Sequence, residues 1–336
     1  MPPIARRVIQ LAVTAGALAW LLHVVPFETV LRALRSARPD YVIAGLALQI
    51  LMRVPAAMRM KAVADAGQLG LSLRMLLSTL FTTSFYGLLL PGGLAGGTAT
   101  WLKYVQHGAR GGAAIASIIV NRSLESLTLV VTGIAWWLID ARLSGVAAVL
   151  CAIIAVTVLI GTHVLLFSRS HYLSLLVDRG VRWHWLSNNI VYRNVRVFSD
   201  HLAQLRGIST GKIFAMVALS LVQDLLGASA LYCLGRSLNL DLGFFTVAWL
   251  RIAVQFVVLL PISFSGLGVR ESTLVFLTAP FHVAAPAAVA WSFLIFAGTL
   301  VAATIGALIE ALNLWLKRPM AGRESPAQPS DRAKDN

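Results

Sequence analysis

Ionisable side chains inside long apolar stretches are the residues of this sequence most able to do chemistry. Arg122 and Glu125 lie three residues apart in one such stretch, so on a helix they share a face and can pair. Arg251 and Asp224, the latter beside Gln223, lie in two others. The arginines predict contacts with an anionic group, with Glu125 orienting Arg122, and Asp224 is a candidate for proton or cation coupling. The alternative is a set of helix-locking ion pairs, including one between Asp224 and either arginine.

A second charged pair, Arg270 and Glu271, directly follows Gly266-Leu267-Gly268, where a helix is predicted to begin. The free N–H groups and positive dipole end of a helix N-terminus favour phosphate or carboxylate. A guanidinium group adds a planar, multi-donor contact to phosphate. This position therefore predicts an anion contact for Arg270. Glu271 is electrostatically stable near a helix N-terminus, so a purely structural role for it stays open.

Signatures of catalysis, metal binding and cofactor binding are missing from the sequence. It contains no phosphate-binding Gly-x-x-x-x-Gly-Lys-Ser/Thr motif, and its seven histidines lack metal-ligand spacing. Cys151 and Cys233 lie inside apolar runs, where they indicate neither a disulfide nor a redox pair. We therefore expect no enzymatic activity, no catalytic residue, no metal and no cofactor.

The composition indicates whether water or a lipid bilayer surrounds the segments that carry these charges. The 336 residues are 58% hydrophobic and only 12% charged, with a mean hydropathy of +0.78. A soluble domain is about one quarter charged, so this chain has too little polar surface to face water. Its net charge of +14 sits in short segments between apolar runs, where it sets membrane orientation. No basic module with base-reading side chains is present, so we expect no nucleic-acid partner.

The apolar runs and the positive charge between them predict a topology. The runs are 8–25, 40–58, 74–90, 113–139, 144–167, 211–235, 243–260 and 287–316. The polar segment 168–210 carries six arginines against two aspartates, and the tail from Lys317 is also basic, so both should be cytoplasmic. Eight full crossings from a cytoplasmic N-terminus would place 168–210 outside. Two of the runs must then enter the membrane and return.

Two Pro/Gly clusters mark the runs that could return. Pro removes a backbone donor and clashes with the preceding turn, so a helix should end at each cluster. The helix-break residues are Pro91, Gly92, Gly93, Gly96 and Gly97 in the first cluster and Pro261, Ser263, Gly266 and Gly268 in the second. They predict an all-α bundle of about six full spans plus two re-entrant hairpins, 74–110 and 243–285, in an inverted repeat. The alternative is eight full spans joined by ordinary loops.

The pattern Leu-Leu-Pro91-Gly-Gly, then Arg122 and Glu125, then Pro261-Ile-Ser-x-Ser-Gly-Leu-Gly-Val-Arg-Glu271 resembles a known family. It is the lysylphosphatidylglycerol synthase transmembrane region family, also called flippase-like, and the resemblance covers about 8–316. It implies a role in lipid translocation or lipid metabolism. In longer relatives this domain flips aminoacylated phosphatidylglycerol made by a fused synthase domain. We expect this chain to lack that domain and its synthase activity.

The first half departs from the family pattern. Where the family often has Asp and, three residues on, Arg, this sequence has Thr98 and Trp101, with Lys103 nearby. The acidic residue that often precedes Arg122 is Asn121. These differences put a shared substrate site in the first half in doubt, whereas the second-half motif around Arg270 is intact.

Together these features predict a flippase-like transmembrane domain over 1–316 in a bacterial-type cytoplasmic membrane. The amphipathic segment 168–210 is expected on the inner leaflet or as a cap on the bundle. The tail 317–336 is expected to be disordered, and both termini cytoplasmic.

The expected activity is translocation of an anionic or phosphate-bearing lipid, such as a phospholipid or an isoprenoid-linked or hopanoid-related lipid. Its headgroup would contact Arg122, Arg251 and Arg270. One alternative is a non-transporting accessory that holds a lipid-biosynthesis enzyme at the membrane. Another is an intramembrane transferase that uses Glu125 or Glu271.

Overall fold

The computed structural model describes residues 27–89, 95–140, 209–259 and 268–317, and within these ranges it contains α-helices and no β-strand. In chain order the helices are α1 (Phe27–Arg35), α2 (Pro39–Leu51), α3 (Arg53–Ala66), α4 (Leu73–Leu89), α5 (Ala95–Gln106), α6 (Gly111–Asp140), α7 (Thr210–Ser237), α8 (Phe244–Leu259), α9 (Val269–Thr278) and α10 (Ala285–Lys317). Four described segments are long and apolar enough to cross a membrane: Pro39–Ala66, Gly111–Asp140, Thr210–Ser237 and Ala285–Asn313. The predicted all-α polytopic membrane bundle is confirmed.

Helix α7 lies at the centre of the described bundle, where it contacts α2, α3, α6, α8 and α10. On its second half, Leu234 packs with Leu250 of α8, Leu274 of α9 and Trp291 of α10, and all four side chains are buried. The Trp291 indole N–H donates to the Leu231 carbonyl at 3.1 Å, which satisfies its only polar atom. One apolar core therefore joins α7 to the three last helices.

The first membrane-length segment is interrupted at Met52, where α2 ends at Leu51 and α3 begins at Arg53. Pro55 explains the interruption, because it has no N–H to donate to the carbonyl four residues earlier. Helix α3 then runs on to Ala66, beyond the predicted end of this apolar run at residue 58. That extension carries Arg59 into the bundle.

Two pairs of shorter helices flank the Pro/Gly clusters at which the sequence predicts re-entrant hairpins. Helix α4 packs on α5, and α8 packs on α9. The second arms have 12 and 10 residues, about 18 and 15 Å at a rise of 1.5 Å per residue. Neither arm alone spans a hydrocarbon core of about 30 Å. Re-entry of these two hairpins, and the side from which each enters the membrane, stay predictions.

The helix-break residues fall in different places. Gly96 and Gly97 lie in the first turn of α5, so the helix restarts before them and they do not form part of the break itself. Gly268 is the N-cap residue of α9 with φ +80°, a conformation that glycine adopts without a Cβ clash. The others, Pro91, Gly92, Gly93, Pro261, Ser263 and Gly266, lie outside the described residues, as do 168–208 and 318–336.

Helix α10 approaches its neighbours closely through glycines. At Gly306 the backbone of Phe81 in α4 occupies the space that a Cβ would need, and at Gly298 the Gln49 side chain of α2 does so. Ala302, on the same face between them, is fully buried. Small residues let helix backbones approach within van der Waals contact in a membrane bundle. This face of α10 thus holds α2 and α4 together.

Candidate functional site

Arg59 of α3 is a charged side chain buried inside the described bundle, only 2% exposed. Its Nε donates to Asn121 Oδ1 at 3.0 Å, and its Nη1 donates to Ser220 Oγ at 3.0 Å and Gln223 Oε1 at 2.9 Å. Its Nη2 lies 3.3 Å from Glu125 Oε2. Every nitrogen of this guanidinium group therefore has a protein partner, supplied by α6 and α7.

Glu125 of α6 is the carboxylate on which these contacts converge. Besides Arg59, it receives Arg122 Nη1 at 3.2 Å on Oε2 and the amide of Gln223 at 3.2 Å on Oε1. The predicted pairing of Arg122 with Glu125 is present. The Arg122 side chain is nevertheless 65% exposed, against 20% for Glu125. Arg122 thus marks the open end of the site.

Arg122 lies well inside its helix. It is the twelfth of the 30 residues of α6, so it is about 17 Å along an axis of about 45 Å. Arg122 thus exposes a guanidinium group in the interior part of a membrane-length helix. Such a group is expected to face a polar space or an anionic ligand.

Asp224 and Arg251 form the closed end. Asp224 of α7 is 3% exposed, accepts from Thr132 Oγ1 at 3.3 Å, and lies 3.6 Å from Arg251 Nη1 of α8. That separation is too long for a hydrogen bond, and Arg251 Nη1 is buried without a hydrogen-bond acceptor. The guanidinium group rests on Gly227, where a Cβ would come within 2.6 Å of it.

These residues form one connected set, which we call the arginine network: Arg59, Arg122, Glu125, Gln223, Asp224 and Arg251. It is continuous because Gln223 contacts both Arg59 and Glu125, and because Asp224 and Arg251 lie close enough to these two residues to interact with them electrostatically. Three guanidinium groups and two carboxylates give it one excess positive charge. Within the described residues the set links α3, α6, α7 and α8.

The structure places Arg270 elsewhere, between α9 and α10. Its Nη2 lies 2.6 Å from Glu271 Oε1 and its Nε donates to Ser292 Oγ at 2.7 Å, while Phe296 covers it at 5.1 Å from the ring centroid. The other Glu271 oxygen accepts the Gly268 N–H at 2.7 Å. The anion position at this helix N-terminus is thus occupied by the protein's own carboxylate, which caps α9.

A third set of polar contacts ties the first hairpin to α10. Lys103 Nζ of α5 lies 2.6 Å from Glu310 Oε2, and Tyr86 of α4 donates to Glu310 Oε1 at 3.2 Å. Both ionised side chains are mostly buried. Arg53 instead donates to the Leu80 carbonyl at 3.0 Å and covers the Phe81 ring. These contacts join helices and leave each charge with an electron-rich partner.

Sequence reasoning located most of this site but missed its centre. It singled out Arg122, Glu125, Asp224 and Arg251, which the fold brings together, and Arg270, which it holds apart. Arg59 was missed because the apolar run seemed to end at residue 58. The available signal was the continued helical spacing of apolar residues at 60, 63 and 64, all buried.

No three His, Cys, Asp or Glu side chains of the described ranges converge in a way that could hold a metal ion. Membrane-length apolar helices around a buried network of charges define the chain as an integral, polytopic α-helical membrane protein. It belongs to the family of the lysylphosphatidylglycerol synthase TM region, whose model matches residues 7–307. That family is a membrane domain linked to lipid handling. No curated protein matches the chain.

Proposed function

We propose that this protein is a flippase-like transporter that moves an anionic or phosphate-bearing lipid across the membrane and catalyses no covalent reaction. The observation that carries the proposal is Arg122, a cation exposed about two-fifths of the way along a membrane-length helix. Membership of a lipid-handling membrane family supports it.

Exposure of the Arg122 charge inside a membrane helix costs free energy. An arginine at the middle of a membrane helix costs at least about 2.5–3.5 kcal/mol unless a polar partner compensates it. Glu125 compensates Arg122 only in part, because the same carboxylate also pairs with Arg59. A lipid phosphate that reaches Arg122 would gain a charge-assisted hydrogen bond and remove that cost.

The three predicted headgroup contacts differ in their capacity to bind a ligand. Arg122 is open and Arg251 has a buried donor without an acceptor, so both have capacity for a ligand. Arg270 is 8% exposed and paired with Glu271 and Ser292, which favours a role in joining α9 to α10. The headgroup would therefore pass along α6, α7 and α8, between the two hairpins. A bacterial-type inner membrane, cytoplasmic termini and an associated lipid-biosynthesis enzyme remain parts of the proposal.

Reconstitution into vesicles tests the proposal. Purified protein should move fluorescent phospholipids or isoprenoid lipids between leaflets faster than empty vesicles do, and Arg122→Gln should reduce that rate at least about tenfold, the effect of losing about 1.4 kcal/mol. The matched control is Arg236→Gln, because Arg236 pairs with the fully exposed Asp241 outside the network. Translocation no faster than in empty vesicles, with no lipid co-purifying, would refute the proposal.

A further inference from the structure

We infer that the arginine network selects lipids whose headgroup carries a single negative charge, the charge of a phosphodiester. The inference rests on the proposed transport function and specifies its substrate. It follows from the charge count of the network and from the two guanidinium groups that still have capacity to bind.

The arginine network has one more positive than negative charge. Among the described residues, the carboxylates within ion-pair distance of Arg59, Arg122 and Arg251 are those of Glu125 and Asp224. The remaining partners are neutral: Asn121, Ser220, Gln223 and Thr132. In a medium of low dielectric constant, one uncompensated charge attracts a counter-charge strongly. A single negative charge makes the network neutral.

Neighbouring ion pairs do not change this balance. Arg270 pairs with Glu271, and Lys103 pairs with Glu310, so each of these sets is neutral by itself. Arg53 is charged, but it contacts a backbone carbonyl and an aromatic ring of α4, not the network. Within the described residues, the excess charge of the network is therefore its own.

The guanidinium N–H donors that have no protein acceptor indicate where the phosphate would bind. Arg59 has partners on all three nitrogens and offers nothing further. Arg122 uses Nη1 for Glu125 and is 65% exposed, so it can present two donors to the two non-bridging oxygens of a phosphodiester. Arg251 Nη1, buried without an acceptor, holds the positive charge at the closed end.

Other headgroup charges fit less well. A phosphomonoester, with close to two negative charges at neutral pH, leaves the network negative. A zwitterionic or cationic headgroup brings an ammonium group toward three guanidinium groups, while Glu125 already accepts from three donors. A phosphomonoester or a zwitterionic headgroup thus leaves one charge uncompensated at membrane depth, and a cationic headgroup leaves two.

A panel of lipids with identical labelled acyl chains tests the inference. Phosphatidylglycerol should be moved at least about tenfold faster than phosphatidylcholine, phosphatidate or lysylphosphatidylglycerol at about pH 8, as expected for one uncompensated charge. The readout is dithionite quenching of label in the outer leaflet of vesicles. A wild-type protein that moves lipids without ranking phosphatidylglycerol first would overturn the inference and leave the transport function standing.

Two variants change the network charge in opposite directions. Asp224→Asn adds one positive charge and should shift the preference toward phosphatidate, whereas Arg251→Gln removes one and should shift it toward phosphatidylcholine. The matched controls are Asp241→Asn and Arg236→Gln, which make the same substitutions in an exposed Arg–Asp pair of similar separation, 3.5 Å. The controls should keep the wild-type order. An unchanged order in both network variants would contradict the inference.

A third pair of variants separates charge from geometry. Gly227→Ala displaces the Arg251 guanidinium group, since a Cβ there would lie 2.6 Å from it, and Arg251→Lys keeps its charge. Both should lower the rate for phosphatidylglycerol several-fold without changing the order of the lipids. A reversal of the order in either would show that geometry and not charge sets the selectivity. Failure of every lipid to move would refute transport and selectivity together.

Discussion

Arg59 and Arg122 both pair with the Glu125 carboxylate, but Arg59 is buried and Arg122 is exposed. Arg59 donates from all three nitrogens to partners on α6 and α7, and Arg122 contacts Glu125 through one nitrogen while most of its side chain is exposed. A buried charge whose partners are all supplied by the protein is a structural element, because removing it strands those partners. An exposed charge on the same carboxylate is available to a ligand. At this scale the two arginines differ in that Arg59 is enclosed by protein partners and Arg122 is exposed, which is why we propose Arg122 as the ligand contact.

The first prediction separates these roles by stability. Arg59→Met should lower the free energy of unfolding by about 3–5 kcal/mol, because Glu125, Asn121 and Ser220 lose a buried partner. Arg122→Met should not lower it and should raise it by up to about 2.5–3.5 kcal/mol, because it removes an incompletely compensated cation from a membrane helix. Denaturant titration of the helical signal in mixed micelles measures both. Equal losses of stability would show that Arg122 is as structural as Arg59.

Helix α10 packs closely against its neighbours because Gly298 and Gly306 have no side chain. Gly306 and Gly298 admit the Phe81 backbone and the Gln49 side chain, so α4 and α2 approach α10 without a gap. Lys103 and Tyr86 then reach Glu310 from the first hairpin. Close approach brings the polar groups within bonding distance, so packing and ion pairing depend on each other here.

A second prediction tests that close approach. Gly306→Ala should destabilise the protein by about 1–3 kcal/mol, because the added methyl group overlaps the Phe81 backbone, which has no flexible side chain to move. Gly211→Ala is the control: it lies in the first turn of α7 with open space around it. That change should be neutral or stabilising by up to about 1 kcal/mol. Thermal unfolding in one detergent compares them, and similar losses would exclude a packing cause at Gly306.

The molecule as a whole combines long helices with two short hairpins that lie far apart in sequence. Helices α6 and α7 carry the arginine network and contact one another. The hairpins α4–α5 and α8–α9 each pack on α10 through at least one arm. An inverted repeat would place one hairpin entrance on each side of the membrane.

The third prediction concerns that orientation. In a Cys151→Ser, Cys233→Ser background, His107→Cys, just beyond α5, should react with an impermeant thiol reagent only from the cytoplasmic side. His282→Cys, before α10, should react only from outside. Both positions are exposed or partly exposed, so access depends on the side of the membrane. Reaction of both from the same side would exclude opposed hairpins and favour an ordinary arrangement of loops.

The sequence by itself determined the features that depend on near neighbours in the chain. Apolar length predicted the segments that became α6, α7 and α10 to within about two residues, since membrane burial requires long uninterrupted apolar helices. The Arg122–Glu125 pair followed from a spacing of three, which one helix brings together. The position of Glu271 at a helix N-terminus likewise followed from local sequence, although its hydrogen bond to the Gly268 N–H was not predicted.

Only the tertiary structure decided which charges share a site. Arg59 meets Asn121 at 62 residues' separation and Gln223 at 164, and no local pattern indicates that convergence. Likewise Arg270 and Arg251 look alike in sequence, yet one is neutralised by its neighbour and the other keeps a buried donor without an acceptor. The reason is physical: whether a charge is compensated depends on every helix packed against it, and that packing is a property of the folded bundle.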